Sequence, residues 1–191
     1  MKLKSLIVVL LCIVVCSSCE QPPIEAYAVL PQPQEINYVQ GFVKLKDKPM
    51  VVYSNELSNE ALLLASYLKN DFAVEVTLEK GKDKGDVILL LDSTVLPDKK
   101  GGYVLEAAGS RITIKASTPE GVFNGVQTLR QIIKEREGRL IVQKALVTDY
   151  PAFSWRAFML DEGRYFKGKE VVLNLLDRMA ELKMNVFHWH L

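Results

Sequence analysis

The C-terminal stretch of the chain constrains its fold more than any other segment. It begins with the apolar run FSWRAFML (residues 153–160), which a polar loop follows. The segment KEVVLNLLDRMAELK (residues 169–183) comes next, and a second apolar run, NVFHWHL (residues 185–191), ends the stretch. The middle segment carries apolar residues at helical spacing, namely Val172, Leu175, Leu176, Met179 and Leu182. This spacing predicts an amphipathic helix between two strands. A strand, a helix and a strand in close succession predict a βαβ unit, which requires a parallel sheet with covered faces.

The same unit predicts where side chains with chemistry would lie. In a barrel of parallel strands, the carboxyl ends of the strands form the active face. The segment DEGR (residues 161–164) follows the first predicted strand, and His188 and His190 lie in the second. One unit cannot close a barrel, because about two hundred further residues would be needed. We therefore expect residues 150–191 to be the start of a (β/α)8 TIM barrel, truncated after its second strand.

Residues 28–149 alternate predicted strands with two helices. The candidate strand segments are FVKLK, MVVYS, VEVTL, DVILLLD, the hairpin YVLEAAGSRITIKA and RLIVQKALVTDY. A first helix capped by Ser58 and a second over residues 119–134 complete a pattern that predicts an α+β domain, with its helices on one sheet. Gly121 and Gly125 would let the second helix lie close to that sheet. The segment holds no histidine, no cysteine and no glycine-rich phosphate loop, so we interpret it as a structural domain.

Residues 1–19, MKLKSLIVVLLCIVVCSSC, resemble a bacterial lipoprotein signal. Two lysines precede a short apolar run that cannot span a bilayer but suits a secretory signal. We expect residues 1–18 to be the cleaved signal peptide and Cys19 to carry lipid, although Cys16 stands where leucine is commoner. Plain secretion and a retained anchor are the alternatives. Residues 19–27 would form a tether, and the predicted location is the bacterial envelope, periplasmic or at the cell surface, with a lipid anchor in the membrane.

Composition excludes several classes of function. All three cysteines lie in the signal-like segment, so the remaining chain can form neither a disulfide nor a thiolate metal site. The 24 basic and 23 acidic residues leave a net charge of +1. Neither sign of charge is in excess, so the composition does not favour a nucleic-acid partner. An exported protein without disulfides must be held together by its hydrophobic core.

Four stretches of the sequence together resemble glycoside hydrolase family 20, the β-N-acetylhexosaminidases. DYPAFSWRAFMLDEGRYF followed by LLDRMAELKMNVFHWHL is similar to the opening of that family's catalytic barrel, with the patterns Arg-x-x-x-Leu-Asp-x-x-Arg and Asn-x-x-His-x-His-Leu. LPQPQEI and EGVFNGVQTLRQII resemble the start and the last helix of its N-terminal α+β domain. The resemblance covers nearly all of the chain after the signal-like segment.

The resemblance implies a retaining, substrate-assisted cleavage of terminal N-acetylglucosamine or N-acetylgalactosamine from glycans. In such enzymes the substrate's own acetamido oxygen attacks, a glutamate is the general acid, and a neighbouring aspartate orients the acetamido group. That Asp-Glu pair belongs to the fourth strand of the family's barrel, beyond Leu191. The expected partner is a glycan with a terminal N-acetylhexosamine, with no metal and no cofactor, and we expect this chain to be a fragment that is inactive alone.

The resemblance also suggests roles for the residues at the strand ends. Arg164 is expected to bind ring hydroxyls of the terminal sugar, since its planar fork of donors suits adjacent hydroxyls; a structural salt bridge is the alternative. Asp161 is expected to orient Arg164, and Glu162 to be a solvated loop acid rather than the catalytic acid. His188 and His190 are expected to pack and hydrogen-bond near the site. Rival hypotheses are a zinc amidohydrolase built on these two histidines and a non-catalytic sugar-binding surface protein.

Overall fold

The computed structural model describes residues 23–81 and 83–191. The predicted signal peptide and Cys19 therefore lie outside the described residues. One sheet has eight strands, which are β1 Glu35–Lys44, β2 Met50–Tyr53, β3 Thr77–Lys80, β4 Val87–Leu91, β5 Tyr103–Ala108, β6 Arg111–Ala116, β7 Lys134–Arg136 and β8 Arg139–Asp149. Their order in the sheet is β1-β8-β5-β6-β4-β2-β3, and β7 pairs with β8. The helices of this part are α1 Ser58–Phe72 and α2 Pro119–Ile132.

The pairing of the strands divides the sheet into two regions. β3, β2, β4 and β6 pair in parallel, whereas β5, β8, β1 and β7 join through antiparallel pairs. The predicted hairpin is present as β5 and β6, and Gly109 in its turn has a φ of 57° that suits glycine. β4 is an apolar run that is mostly buried, as expected for a central parallel strand.

β1 is longer than the sequence pattern indicated. The prediction placed a strand only over residues 42–46, but β1 begins at Glu35 and contains a register shift between Tyr38 and Phe42. Gly41 has a φ of 92° there, and Gln143 Nε2 donates to the carbonyl oxygens of Val39 and Gly41. This bulge interrupts the alternation of polar and apolar residues, which is why the sequence pattern indicates only the second half of the strand.

α2 lies very close to the sheet, as its two glycines predicted. A Cβ atom at Gly121 would come within 2.2 Å of the carbonyl oxygen of Gly102, and one at Gly125 within 2.5 Å of Ile114 Cγ2. The apolar stripe of α2, which includes Val122, Val126 and Leu129, is fully buried. The side chains of α1 and α2 join those of the sheet in one hydrophobic core. The α+β domain with helices on one sheet is therefore confirmed.

The two helices begin differently. α2 is capped by Thr118, whose hydroxyl accepts the N–H of Gly121, and Pro119 occupies its first turn. The prediction that Ser58 caps α1 is wrong. Ser58 is already helical, because a 3-10 turn over Asn55–Leu57 leads into α1, and full burial of Leu57 fixes that entry.

The C-terminal stretch forms the predicted βαβ unit. Its elements are β9 Ala157–Asp161, α3 Lys169–Glu181 and β10 Val186–His190. β9 and β10 pair in parallel, with Ala157 opposite Val186 and Asp161 opposite His190. α3 packs beside α2, and its buried side chains are Val172 and Met179. No helix in the described part of the chain is both long and apolar enough to cross a membrane.

Candidate functional site

The predicted site residues come together at the carboxyl ends of β9 and β10. Asp161 is the last residue of β9, and parallel pairing places it opposite His190, the last residue of β10. Asp161 Oδ1 lies 3.1 Å from His190 Nδ1 and 3.3 Å from the backbone nitrogen of Arg164, which donates to it. Arg164 Nε lies 3.4 Å from Asp161 Oδ2. Asp161 thus holds both the loop after β9 and the end of the neighbouring strand.

These contacts keep the Asp161 carboxylate ionised. The hydrogen bond from His190 is the main reason that the pKa of Asp161 lies below its ordinary value. Desolvation opposes this effect, whereas the backbone N–H groups of Arg164 and Gly163 add to it. An ionised carboxylate at this position attracts the Arg164 guanidinium. The predicted role of Asp161 in orienting Arg164 therefore has a geometric and an electrostatic basis.

Arg164 presents most of its guanidinium to solvent. Its side chain is 91% exposed and contacts Asp161 through Nε. Its two terminal nitrogens make no hydrogen bond to any residue that the structure describes, so a planar pair of charged donors is available for a ligand. Whether these donors bind sugar hydroxyls stays a prediction.

Glu162 is not a solvated acid, and that expectation is wrong. The residue is 6% exposed, and its Oε1 accepts the backbone N–H of Lys167 at 2.7 Å. Its own backbone N–H donates to the carbonyl of His190 at 2.8 Å, so pairing with β10 continues past the end of β9. Glu162 Oε2 is buried and has no partner among the described residues. The carboxylate therefore braces the loop that carries Arg164.

The two histidines differ in their surroundings. The His190 ring contacts Asp161, whereas the His188 side chain is exposed and makes no hydrogen bond to a described residue. The rings of Phe187 and Trp189 lie 5.9 Å apart, centroid to centroid. In residues 23–81 and 83–191, no group of three His, Cys, Asp or Glu side chains converges as metal ligands would. The zinc hypothesis thus finds no donor cluster in this part of the chain.

The sequence patterns include Arg156, the first residue of the motif Arg-x-x-x-Leu-Asp-x-x-Arg, but they did not indicate its role within the βαβ unit. Arg156 Nε donates to the carbonyl of Lys183 at 2.6 Å, and its Nη1 donates to the carbonyl of Phe153 at 2.8 Å. Arg156 therefore ties the start of β9 to the turn between α3 and β10. The signal that could have identified this role is a charged residue inside an apolar run, since such a residue needs a partner when the strand is covered.

Two sequence models of one family match most of the chain. The model described as "Glycosyl hydrolase family 20, domain 2" matches residues 26–150. The model described as "Glycosyl hydrolase family 20, catalytic domain" matches residues 153–191. The match to the catalytic domain includes all of the strand-end residues described above.

Curated relatives and solved structures agree with these models. A beta-hexosaminidase of Porphyromonas gingivalis is 31% identical over 172 residues, covering 85% of this chain and 22% of the relative. Beta-hexosaminidase subunit A2 of Dictyostelium discoideum is 30% identical over 183 residues, covering 92% of this chain and 33% of the relative.

Among solved structures, an N-acetyl-beta-hexosaminidase of Streptomyces plicatus has a TM-score of 0.78 and 26% identity, covering 91% of this chain and 36% of that one. The beta-N-acetylhexosaminidase of Bacteroides fragilis has a TM-score of 0.74 and 29% identity, covering 85% of this chain and 33% of that one. The chain thus spans about a fifth to a third of the length of the proteins that it matches.

Proposed function

Because the chain belongs to glycosyl hydrolase family 20, we propose that the protein that contains it hydrolyses terminal N-acetylhexosamine residues of glycans. The activity is a proposal for the whole protein, since the chain covers only 22% and 33% of the first two curated relatives. The observation that carries it is the exposed Arg164 guanidinium, held by an ionised Asp161 at the end of a parallel strand within the part that matches the catalytic domain.

Solved relatives support the class of substrate. The Vibrio harveyi exo beta-N-acetylglucosaminidase, 28% identical with a TM-score of 0.76, was solved in complex with N-acetylglucosamine. A Streptomyces plicatus beta-hexosaminidase mutant was solved with the product GlcNAc. By extension, the ligand of this protein is a glycan that ends in N-acetylglucosamine or N-acetylgalactosamine.

The mechanism follows the substrate-assisted scheme. The acetamido oxygen of the bound sugar attacks the anomeric carbon, and a glutamic acid protonates the leaving oxygen. In this scheme the residues described here do not attack or protonate. Arg164 binds ring hydroxyls of the terminal sugar, and Asp161 orients Arg164. Glu162 stabilises the loop after β9 by accepting the backbone N–H of Lys167. The orientation of the sugar brings its acetamido group into line with the bond that breaks.

A pair of substrates tests this proposal. The protein that carries this chain together with the rest of a family 20 catalytic domain should hydrolyse an aryl β-N-acetylglucosaminide. It should not hydrolyse the matching aryl β-glucoside, because that substrate lacks the acetamido oxygen. Residues 23–191 alone should cleave neither substrate. Equal rates on both substrates would contradict the mechanism, and failure to hydrolyse the acetamido sugar would contradict the proposed function.

We also propose that the protein is exported and anchored by lipid in the bacterial envelope. The support is the pattern of residues 1–19, in which lysines and a short apolar run precede Cys19. A fatty-acid analogue fed to the native host should label the protein. Cys19→Ala should abolish labelling, whereas Cys16→Ala should retain it as a matched control. Equal labelling of the Cys19→Ala variant would remove the proposal.

A further inference from the structure

Lys183 occupies a backbone conformation that usually selects glycine. It follows the end of α3, its N–H donates to the carbonyl of Ala180, and the N–H of Met184 donates to the carbonyl of Met179. This pair of bonds is the Schellman ending of a helix, in which the left-handed position is most often glycine. Lys183 has a φ of 57°, a region that a side chain disfavours because its Cβ crowds the following carbonyl oxygen. The presence of lysine here therefore calls for a compensating contact.

The compensating contact is a buried ion pair. Lys183 Nζ lies 2.8 Å from Asp149 Oδ2, and the two side chains are only 6% and 10% exposed. Lys183 Nζ also donates to Tyr103 Oη at 3.0 Å, and Tyr103 Oη donates to the same Asp149 oxygen at 3.0 Å. The hydroxyl of Thr128 lies 2.5 Å from Tyr103 Oη. One ammonium group thus completes a cluster of three polar side chains that is otherwise buried in the α+β domain.

These partners come from different layers of the fold. Asp149 is the last residue of β8, Tyr103 is the first residue of β5, and Thr128 belongs to α2. Lys183 belongs to the βαβ unit and reaches across the junction into the end of the eight-stranded sheet. Burial lowers the pKa of Lys183, and Asp149 opposes that shift. Loss of Asp149 would therefore leave a buried cation without its carboxylate.

The other contacts across the junction lie nearer to solvent. Arg130 of α2 contacts Asp71 of α1 at 2.7 Å and Asp177 of α3 at 2.9 Å, and both carboxylates are partly exposed. Gln131 Nε2 donates to the carbonyl of Glu181 at 3.0 Å. Arg130 is itself only 14% exposed and forks onto both carboxylates, so this network also stabilises the junction, but Asp71 and Asp177 keep contact with water. The Lys183 contact is the one at which a shifted docking position would leave buried charges unpaired.

We propose that the buried Lys183–Asp149 pair sets the position in which the βαβ unit docks on the α+β domain. Because β10 begins directly after the turn that carries Lys183, this pair also fixes where the ends of β9 and β10 stand. The α+β domain therefore positions the strand-end residues Asp161, Arg164 and His190 through its contact with the turn that precedes β10. In some proteins a buried polar or ionic group specifies register, since a wrong register leaves that group unpaired. The inference does not depend on the proposed glycosidase activity.

Hydrogen exchange of the chain tests the inference at two places at once. In Lys183→Met and in Asp149→Asn, amides of β9, α3 and β10 should lose at least about tenfold of their protection, because each variant leaves one buried charge without its counter-charge. Amides of β5 and β6 should keep theirs. Lys183→Gly should behave like Lys183→Met, although glycine suits the backbone conformation better. Lys169→Met, which changes an exposed lysine at the start of α3, is the matched control.

The double variant Lys183→Met/Asp149→Asn completes the test. Since both charges are gone, its βαβ unit should lose less protection than the product of the two single losses. The double variant also tests the proposal if the single variants do not fold, because it has no unpaired charge and should fold with its βαβ unit docked on the α+β domain. Unchanged protection in Lys183→Met, higher protection in Lys183→Gly, equal loss across the whole chain, or a double variant that also fails to fold would overturn the proposal.

Discussion

Asp161 determines the arrangement of charged side chains at the strand ends. Its carboxylate accepts hydrogen bonds from the His190 imidazole and from the backbone N–H of Arg164, and it also contacts the Arg164 guanidinium. The role of each residue in this group follows from its contacts. Asp161 is an acceptor that stays ionised, His190 is its main donor, and Arg164 keeps most of its guanidinium exposed to solvent.

The first prediction at the residue scale concerns Arg164. In the protein with a full catalytic domain, Arg164→Ala should lower kcat/KM on an aryl N-acetylglucosaminide roughly thirtyfold or more, because sugar hydroxyls would lose charged partners in the transition state. Arg178→Ala, which removes an exposed arginine on α3, should leave kcat/KM nearly unchanged. Near-normal kinetics of the Arg164 variant would assign Arg164 a structural role instead.

A second prediction concerns the titration of Asp161. Since its pKa lies below the ordinary value of 3.8, the ionised form favours the folded strand end above that value. This contribution is lost as the pH falls through the lower, folded-state pKa. Carbon-detected NMR of the Asp161 carboxyl should show this low midpoint. His190→Ala should raise the midpoint towards the ordinary value, whereas His188→Ala should not. Equal shifts in both variants would contradict the assignment.

At the scale of single elements, the helix starts show how the local sequence and the core compete. Thr118 satisfies one free N–H of α2 with its own side chain, whereas α1 enters through a 3-10 turn and has no side-chain cap. A serine just before an apolar stripe is typical of a cap, but burial of Leu57 moves the start of α1 by one residue. Packing therefore overrides the local signal at α1 and agrees with it at α2.

This contrast gives a prediction with a built-in control. Thr118→Ala should lower the free energy of unfolding by about 0.5–2 kcal/mol, because the N–H of Gly121 loses its acceptor. Ser58→Ala should change the free energy of unfolding by less than about 0.5 kcal/mol, because its side chain caps nothing. Urea unfolding followed by circular dichroism measures both variants. A larger loss for Ser58→Ala than for Thr118→Ala would contradict the helix starts described here.

At the scale of the whole molecule, two bodies of unequal stability share one junction. The α+β domain has a core that includes both helices and most of the sheet. The βαβ unit leaves Phe158, Met159 and Trp189 exposed and has only two paired strands. A two-stranded sheet is at best marginally stable by itself. The unit therefore depends on its contacts with α2 and with the ends of β5 and β8.

Limited proteolysis should reveal this difference. Chymotrypsin should cut first at the exposed aromatic residues that lie outside helices and strands on either side of β9, which are Phe153, Trp155, Tyr165 and Phe166. Mass spectrometry of early time points identifies the cuts. The fragment with α3 and β10 should stay bound in size-exclusion chromatography, because Asp177 and Lys183 still contact the α+β domain. First cuts within residues 35–149, or immediate release of that fragment, would contradict this description.

The sequence by itself determined the order of the helices and of every strand except β7, together with the βαβ unit and the family, because these depend on local periodicity and on short motifs. The apolar spacing of α3, the hairpin around Gly109 and the close approach at Gly121 all follow from neighbouring residues. Only the tertiary structure decided the burial of Glu162 and the partner of Lys183. Asp149 is far from Lys183 in sequence, and β10 is far from Glu162, so no local pattern records either contact. Which charges are buried and paired depends on segments that meet only when the chain is folded. The loop that contains Glu162 and the helix end that precedes Lys183 therefore carry no sequence pattern that predicts these contacts.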